Sequence, residues 1–477
     1  MVDQSIDAII RVRAELKAAN WNVEVRDNVD TSANPLPLAQ RPIYALDSLV
    51  FNTGVVDQTR NLTAATGWTG SSYTETRAAA PFSILDTILT AMEFVITEDP
   101  NANFPPLDAF WNPLNKAAFP EEIAMGDLQT TYYDSGIDSL FLLGSASSDT
   151  DEFDDHVIVH EWSHYFEDSF SRSDSIGGSH GRGDILDSRI AFGEGWASAM
   201  AAMALSEPLY CDTSRPVTGS GFNSESSSFG TDGWFNEWTI IRLIYDLWDQ
   251  DVDGADYSSI GFGPIYEVLT GPQATTPAFT NAFSFMAYLK QQGAVDDAFV
   301  DALLVENAIN PSIDIWGSNA QIDDLGSPDD VLPVYTEISL GGPAVNICVN
   351  SQFDNSRAGN KLSEHRYLRL NLSSPAQVTF TANASPAPSQ PSAGFDCTAD
   401  PNDPENSQHS DPDFSVWGNG QLVAFGQSCL PNSETTTTSD PPLSAGDYVI
   451  DLNDFRHEDP TSPATFPERV CFDVSAN

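Results

Sequence analysis

The chain has 477 residues, 41 % of them hydrophobic, with ten Trp and 27 Phe, which is enough apolar material for two or three domains with cores of their own. Its 69 acidic residues stand against 20 basic ones, a net charge of −49, and the only lysines are Lys17, Lys116, Lys290 and Lys361. Such a surface repels nucleic acid and anionic headgroups, which excludes both as partners. No run of about 18 apolar residues stands out, so no membrane span is expected. An Asp-rich, Lys-poor chain suits salty water, where screening makes self-repulsion tolerable, and it fits a marine or halophilic source as well as an ordinary acidic secreted protein.

No signal peptide is evident, and the start at Met1-Val2-Asp3 reads as the beginning of a piece of a longer precursor. Residues 1–80 are expected to be an N-terminal α/β region of unassigned role, with a short helical pattern over Ile6–Ala19 and the strand-like "WNVEV". Residues 80–97, "APFSILDTILTAMEFVIT", carry apolar side chains at helical spacing and predict a buried helix. "GIDSLFLLGS" (136–145) predicts a strand that leads into the acidic "SSDTDEFDD". Acidic residues there suit the positive end of the helix that follows. A Gly/Ser-rich loop, "RSDSIGGSHGRGD" (172–184), precedes a strong helix pattern over 189–205. In "WFNEWTIIRLIYDLWD" (234–249) Trp234, Trp238, Ile241, Tyr245 and Trp248 form one apolar stripe of core character. Helical patterns at 279–291 and 295–307 follow. Beyond about residue 330 the pattern changes to period-2 alternation broken by Pro, Gly, Asn and Asp, as in "YLRLNLSSPAQVTFTA", "PDFSVWGNGQLVAFG" and "LSAGDYVIDLNDF". That is the pattern of a small antiparallel β-sandwich.

The chemistry-bearing stretch is "HVIVHEWSHYFEDSF" (156–170). His160, Glu161 and His164 read H-E-x-x-H, and positions i and i+4 of a helix lie on one face. Two imidazoles so placed can share one metal ion, with the glutamate beside a water on that metal. Val157, Trp162 and Phe166 remain for the core. A zinc ion that does chemistry needs a third protein ligand and an open position. Glu194, in "FGEGWASA" on the next helix, can approach from another side, with Gly193 and Gly195 leaving room for close packing. His156 competes from one turn before His160, although three turns of one helix fit a tetrahedron poorly. Glu167 and Asp168 share that difficulty, and Asp184 and Asp187 lie where a longer zincin signature would place a ligand.

H-E-x-x-H followed by a G-E-G-W helix resembles the gluzincin metallopeptidases of the thermolysin-like clan, and "GEGWAS" is most similar to their fungalysin branch, over roughly residues 130–250. The resemblance implies an α+β zincin catalytic domain, an edge-stranded sheet plus active-site helices, spanning 81–330. It implies zinc on His160, His164 and Glu194, Glu161 as general base, protein or peptide substrates, and an edge strand such as "DSLFLLG" to align them. Two positions depart from the family. Ser198 stands where an Asp usually orients the first histidine. The usual downstream histidine that stabilises the oxyanion is missing, so His180, Tyr245 and Tyr257 are its candidate substitutes.

"DQDVDGAD" places Asp249, Asp251 and Asp253 ahead of Gly254, the first half of a calcium loop, and Ca²⁺ is a second expected ion beside Zn²⁺. The acidic run at Asp149–Asp155 reads as helix capping. Residues 345–477 resemble the bacterial pre-peptidase C-terminal domain of secreted proteases, which implies an all-β accessory domain for secretion or surface binding. Four of the five cysteines fall there. The expected pairs are Cys348–Cys471, joining the first and last strands, and Cys397–Cys429, in an oxidising compartment, with Cys211 free or paired with another part of the precursor. The whole reads as a secreted or cell-surface bacterial zinc endopeptidase, expected to be a monomer. The alternative is a zincin-fold surface or matrix-binding protein with little or no turnover.

Overall fold

A computed structural model describes residues 5–215, 218–252, 254–293, 295–322, 325, 328–354, 356–386, 409–428, 430–438, 441–458 and 467–477. They fall into two compact units: residues 1–169 with 197–225, and residues 170–196 with 226–477.

The first unit begins with short strands, β1 (Asp7–Ala8), β2 (Arg11–Arg13), β3 (Glu15–Lys17) and β4 (Asn22–Arg26). The helix expected over Ile6–Ala19 does not form. β1 and β2 instead pair with β6 (Phe51–Asn52) and β5 (Ala45–Asp47), and β3 pairs with β4. Tertiary partners some 40 residues away override a local apolar spacing that offers no buried helix face. Helix α1 (Ala80–Glu98) follows the expected pattern, burying Ile84, Leu85, Ile88, Ala91, Met92 and Val95 and packing against β4. By length and composition it is the one helix among the described residues apolar enough to cross a membrane, and half of its apolar window is buried inside the protein.

Next come β7 (Leu107–Trp111), the small parallel pair β8 (Lys116–Ala117) and β9 (Asp127–Leu128), then β10 (Tyr132–Asp134) and β11 (Ser139–Leu142). The central sheet has the order β10-β11-β7-β4-β3, parallel from β11 through β4 and antiparallel at both ends. The expected edge strand within "DSLFLLG" is β11, and it is not at the edge. All four of its residues are buried, and β10 covers it. β10 is therefore the open edge. Helix α2 (Asp155–Phe170) and helix α3 (Ser188–Leu205) carry the sequence motifs, and the hairpin β12 (Leu209–Thr213)–β13 (Gly219–Asn223) closes this unit. α3 runs through the division, its residues up to Trp196 counting with the second unit and those from Ala197 with the first.

The second unit contains α4 (Glu237–Trp248), α5 (Phe262–Thr270), α6 (Ala282–Gln291) and α7 (Asp297–Glu306). Asn236 caps α4 by accepting from the Thr239 N–H at 3.1 Å, and Asn281 forms a reciprocal capping box with Ser284 on α6. Of the expected stripe, Trp234, Trp238, Ile241 and Tyr245 are core and Trp248 is half-buried. α5 was not legible because Gly261, Gly263, Pro264 and Gly271 read as breakers. Pro264 sits in the first turn, where a missing N–H costs nothing.

The sandwich is built of β14 (Tyr335–Ile338), β15 (Val345–Asn350), β16 (Arg366–Leu372), β17 (Thr379–Ala384), β18 (Pro412–Gly418), β19 (Gln421–Gly426), β20 (Ser433–Thr437), β21 (Gly446–Asp454) and β22 (Arg469–Ala476). One sheet has the order β14-β16-β21-β18-β19 and the other β15-β22-β17-β20. Inward side chains of both, among them Val349, Leu368, Leu370, Phe380, Val416, Ile450 and Phe472, share one core. The pairing is antiparallel except at β14, which runs parallel to β16. Cys348 and Cys471 face each other on β15 and β22 and form the expected disulfide. Cys397 and Cys429 lie outside the described residues, and Cys211 is an exposed free thiol. The disulfide closes a span of 123 residues. Paired Cys348→Ala and Cys471→Ala should therefore lower the unfolding free energy by about 2–4 kcal/mol in urea titration, and an unchanged midpoint would remove that role.

Candidate metal centre and its surroundings

In the first unit, α2 is amphipathic around the motif. Ile158, Val159, Trp162, Tyr165 and Phe166 are buried, while His160, Glu161 and His164 are half-buried on the other side. One helical turn brings the two imidazoles together, with the Nε2 atoms of His160 and His164 3.2 Å apart. His160 is fixed from behind, its Nδ1 lying 3.0 Å from the Ser198 hydroxyl of α3. With the proton on Nδ1, the Nε2 lone pair faces His164. Ser198 thus touches His160 with a neutral oxygen, where the resemblance led an Asp to be expected.

Glu161 is held differently. Its Oε2 accepts the backbone N–H of Tyr133 at 3.0 Å. Tyr133 is the middle residue of β10, so this N–H projects from the open edge of the sheet toward the motif helix. His156, the rival ligand, is turned away from the pair. Its Nε2 lies 3.0 Å from the Glu207 carbonyl, its ring packs on Tyr210, and burial pulls its pKa down. Tyr210 itself was not singled out by sequence. It comes from the β12 strand, its ring lies edge-on to His160 with centroids 6.5 Å apart, and burial followed by the Glu161 charge drives its pKa up. No spacing signal links residue 210 to residue 160, because the hairpin alone brings it there.

In the second unit, Glu194 lies on α3 where that helix passes close to α4. A Cβ on Gly195 would stand 2.5 Å from the Ile240 Cβ, so no larger residue fits at that crossing. His180, from the glycine-rich loop, places Nε2 3.4 Å from Glu194 Oε2 and 3.5 Å from Glu237 Oε2. Burial first, offset by His180 and reinforced by Glu194, pushes the Glu237 carboxyl up to about 7. Tyr245 is buried beside Trp248, and Tyr257 is exposed with its ring against Phe299. Of the three candidate oxyanion donors, His180 lies within ion-pair distance of Glu194. Asp187 is engaged with Arg189 and Tyr367, and Asp184 accepts the Gly181 N–H.

Of the expected calcium loop, Asp249 caps the end of α4 and Asp251 is exposed, while Asp253 lies outside the described residues. Burial, and then the neighbouring Asp256, pushes the Asp249 carboxyl up to about 7. Asp249 and Asp251 belong to one group of side chains that could hold a cation. A second such group is the first unit's Asp149, Asp151, Asp154 and Asp212, whose ligand oxygens all lie within 4.8 Å of one another. The sequence reading as helix capping covered only part of this, because Asp212 comes from the β12 strand.

No protein-family model matches the chain, and no curated protein is significantly similar to it. Among solved structures, the pre-peptidase C-terminal domain of a collagenase from Bacillus anthracis matches at 9 % identity and a TM-score of 0.18, covering 30 % of this chain and 94 % of that one. A surface-associated copper-binding protein of Methylomicrobium album matches at 12 % identity and 0.19, covering 30 % and 98 %. A periplasmic lysozyme inhibitor from Aeromonas hydrophila matches at 12 % and 0.15, covering 30 % and 97 %. Likeness this slight carries no argument about function.

The acidic cluster sets a pH dependence. Burial drives Asp151 well above the ordinary carboxylate range, raises Asp149, and takes Asp154 to about 7. An unfolded Asp titrates near about 3.9, so the folded chain binds the extra protons between that pH and about 7. Stability contributed by these groups is then lost as pH rises through that window. In metal-free buffer, Asp151→Asn should gain stability relative to the parent chain as pH is raised from 5 to 7.5. A difference independent of pH, read from thermal melts, would contradict this.

Proposed function

We propose that the chain is a secreted zinc-dependent endopeptidase in which His160, His164 and Glu194 hold the metal and Glu161 is the general base. The observation that carries this reading is the apposition of the two histidine Nε2 atoms at 3.2 Å. Two nitrogens bound at about 2.0–2.1 Å to one tetrahedral ion stand about 3.3–3.4 Å apart, so the pair fits zinc with little movement. Glu194 precedes Ser198 by one helical turn, so both project from one side of α3, and Ser198 is the residue that touches His160. Two imidazoles and one carboxylate are a donor set suited to catalytic zinc.

Zinc held there supplies a Lewis acid that polarises the scissile carbonyl and makes water more acidic. Glu161 takes the proton of the attacking water and returns it to the leaving amine. Its bond to the Tyr133 N–H holds the carboxylate beside the β10 edge, where an extended peptide can add as a further strand through its main chain. The Cys348–Cys471 disulfide supports an oxidising, extracellular setting. Nothing in this arrangement calls for a second copy, and the proposed enzyme acts as a monomer.

Glu161→Gln should keep zinc, because Glu161 is not a ligand, while casein hydrolysis falls by about 10²- to 10⁴-fold. Hydrolysis at the parent rate would remove the peptidase mechanism. It would leave a zincin-fold binding protein as the reading. For calcium at Asp249 and Asp251, the ion would relieve repulsion with Asp256. Adding it at pH 7.5 should then raise the melting temperature of zinc-loaded protein, and an Asp249→Asn variant should respond less. Equal responses from both proteins would dismiss calcium at this loop.

A further inference from the structure

Three elements of the second unit meet at His180, and each is fixed by contacts distant in sequence. The loop that carries it is pinned by Asn360, whose Nδ2 donates to the carbonyls of Gly177 at 3.0 Å and Ser179 at 3.2 Å. Lys361 adds its Nζ to the Ser179 carbonyl at 3.0 Å. Gly178 makes this fit possible. At φ +97° a Cβ there would stand 2.8 Å from Asn360 Nδ2. The segment leading into α3 is tied to the start of α4 by the Leu186 N–H, which donates to the Phe235 carbonyl at 2.8 Å. Behind His180, its Nδ1 rests 3.3 Å from the Gly178 carbonyl. The ring is thus held in place before any metal arrives, with Nε2 between Glu194 and Glu237.

Nε2 faces both glutamates, so a proton on it lets the ring donate to Glu194. A glutamate ligand has three side-chain torsions and two oxygens. An N–H aimed at one oxygen limits the rotamers through which the other can leave the metal. Glu237, 8 % exposed at the first turn of α4, faces the same Nε2 at 3.5 Å and so holds the ring beside Glu194.

We infer that His180, backed by Glu237, is a positioning residue for Glu194, an outer support of the proposed metal centre supplied by the glycine-rich loop. The inference rests on the zinc reading of Glu194. It gives the chain a pair of outer partners, Ser198 for His160 and His180 for Glu194. Outer partners of this kind are typically worth about 10- to 100-fold in metal affinity.

The test is zinc release from the loaded full chain into excess chelator, followed with a zinc-sensitive dye. His180→Ala should lose zinc at least about 10-fold faster than the parent, with the melting temperature of the metal-free protein unchanged. His180→Gln keeps an N–H donor and should recover part of the loss. Combining His180→Ala with Glu237→Gln should cost less than the sum of the two, because both act through one ring. If His180→Ala holds zinc within twofold of the parent while Glu194→Ala releases it, the positioning role is wrong and the zinc reading stands. If Glu194→Ala also holds zinc as the parent does, the zinc reading falls and this inference falls with it.

Discussion

Everything proposed for this chain depends on one local constraint, that α2 brings two imidazole nitrogens to 3.2 Å of each other and keeps them accessible. A helix does this for any pair four residues apart only if the opposite face is anchored firmly enough to fix the roll of the helix. Here that face is Ile158, Val159, Trp162 and Phe166, all fully buried. Trp162 packs at a tilt on Phe166, with centroids 5.9 Å apart, and on Phe104, from the loop before β7. Rolling the helix to part the histidines would expose two of the largest side chains in the unit, at about 1.5–3 kcal/mol for each residue.

The second constraint is closeness of backbone. Glu194 sits next to Gly195, and Gly195 is where α3 and α4 touch. An alanine there would push apart the helix that carries Glu194 and the helix that carries Glu237. The sequence "GEGW" thus joins two demands that look independent, a proposed ligand and a crossing point. The start of α3 is secured further by the buried pair of Arg189 with Asp187 and with Asp451 of β21, the latter at 2.8 Å. His365 joins Asp451 at 2.8 Å, and the neighbouring acid raises its pKa to about 9 against the effect of burial. The β-sandwich therefore does more than hang from the chain. Within the second unit it supplies charges that the first turn of α3 is built on.

How much of this was readable in advance follows sequence distance. The motif helix, α1, α3, the tryptophan stripe of α4 and the alternating strands of the sandwich were legible because each carries its own period. The cross-strand disulfide was legible because the region has few cysteines, although Cys348 lies on the second strand of the sandwich and not the first. What failed was non-local. The stretch Ile6–Ala19 has a helical spacing, yet it is claimed by strands at 45–52. β11 reads as an apolar strand, and only its pairing with β10 shows that it is interior. Glu237 lies 57 positions from His180, and Asp451 lies 262 from Arg189. No window of sequence contains either contact.

The net charge of −49 also looks different once placed in the fold. It invited a reading as a solvated, salt-tolerant surface, but a share of the acid is inside. Asp411 and Asp454 of the sandwich are buried with their carboxyls pushed up to about 7, and the half-buried Asp413 reaches about 8. The first unit repeats the arrangement at Asp149, Asp151 and Asp154. Like charges gathered out of water are tolerated only as protonated acids or against cations. In the sandwich Arg456 acts against the charge of Asp411 and Asp454, yet burial outweighs it and both carboxyls stay raised. Its buried acids are therefore set to respond to protons.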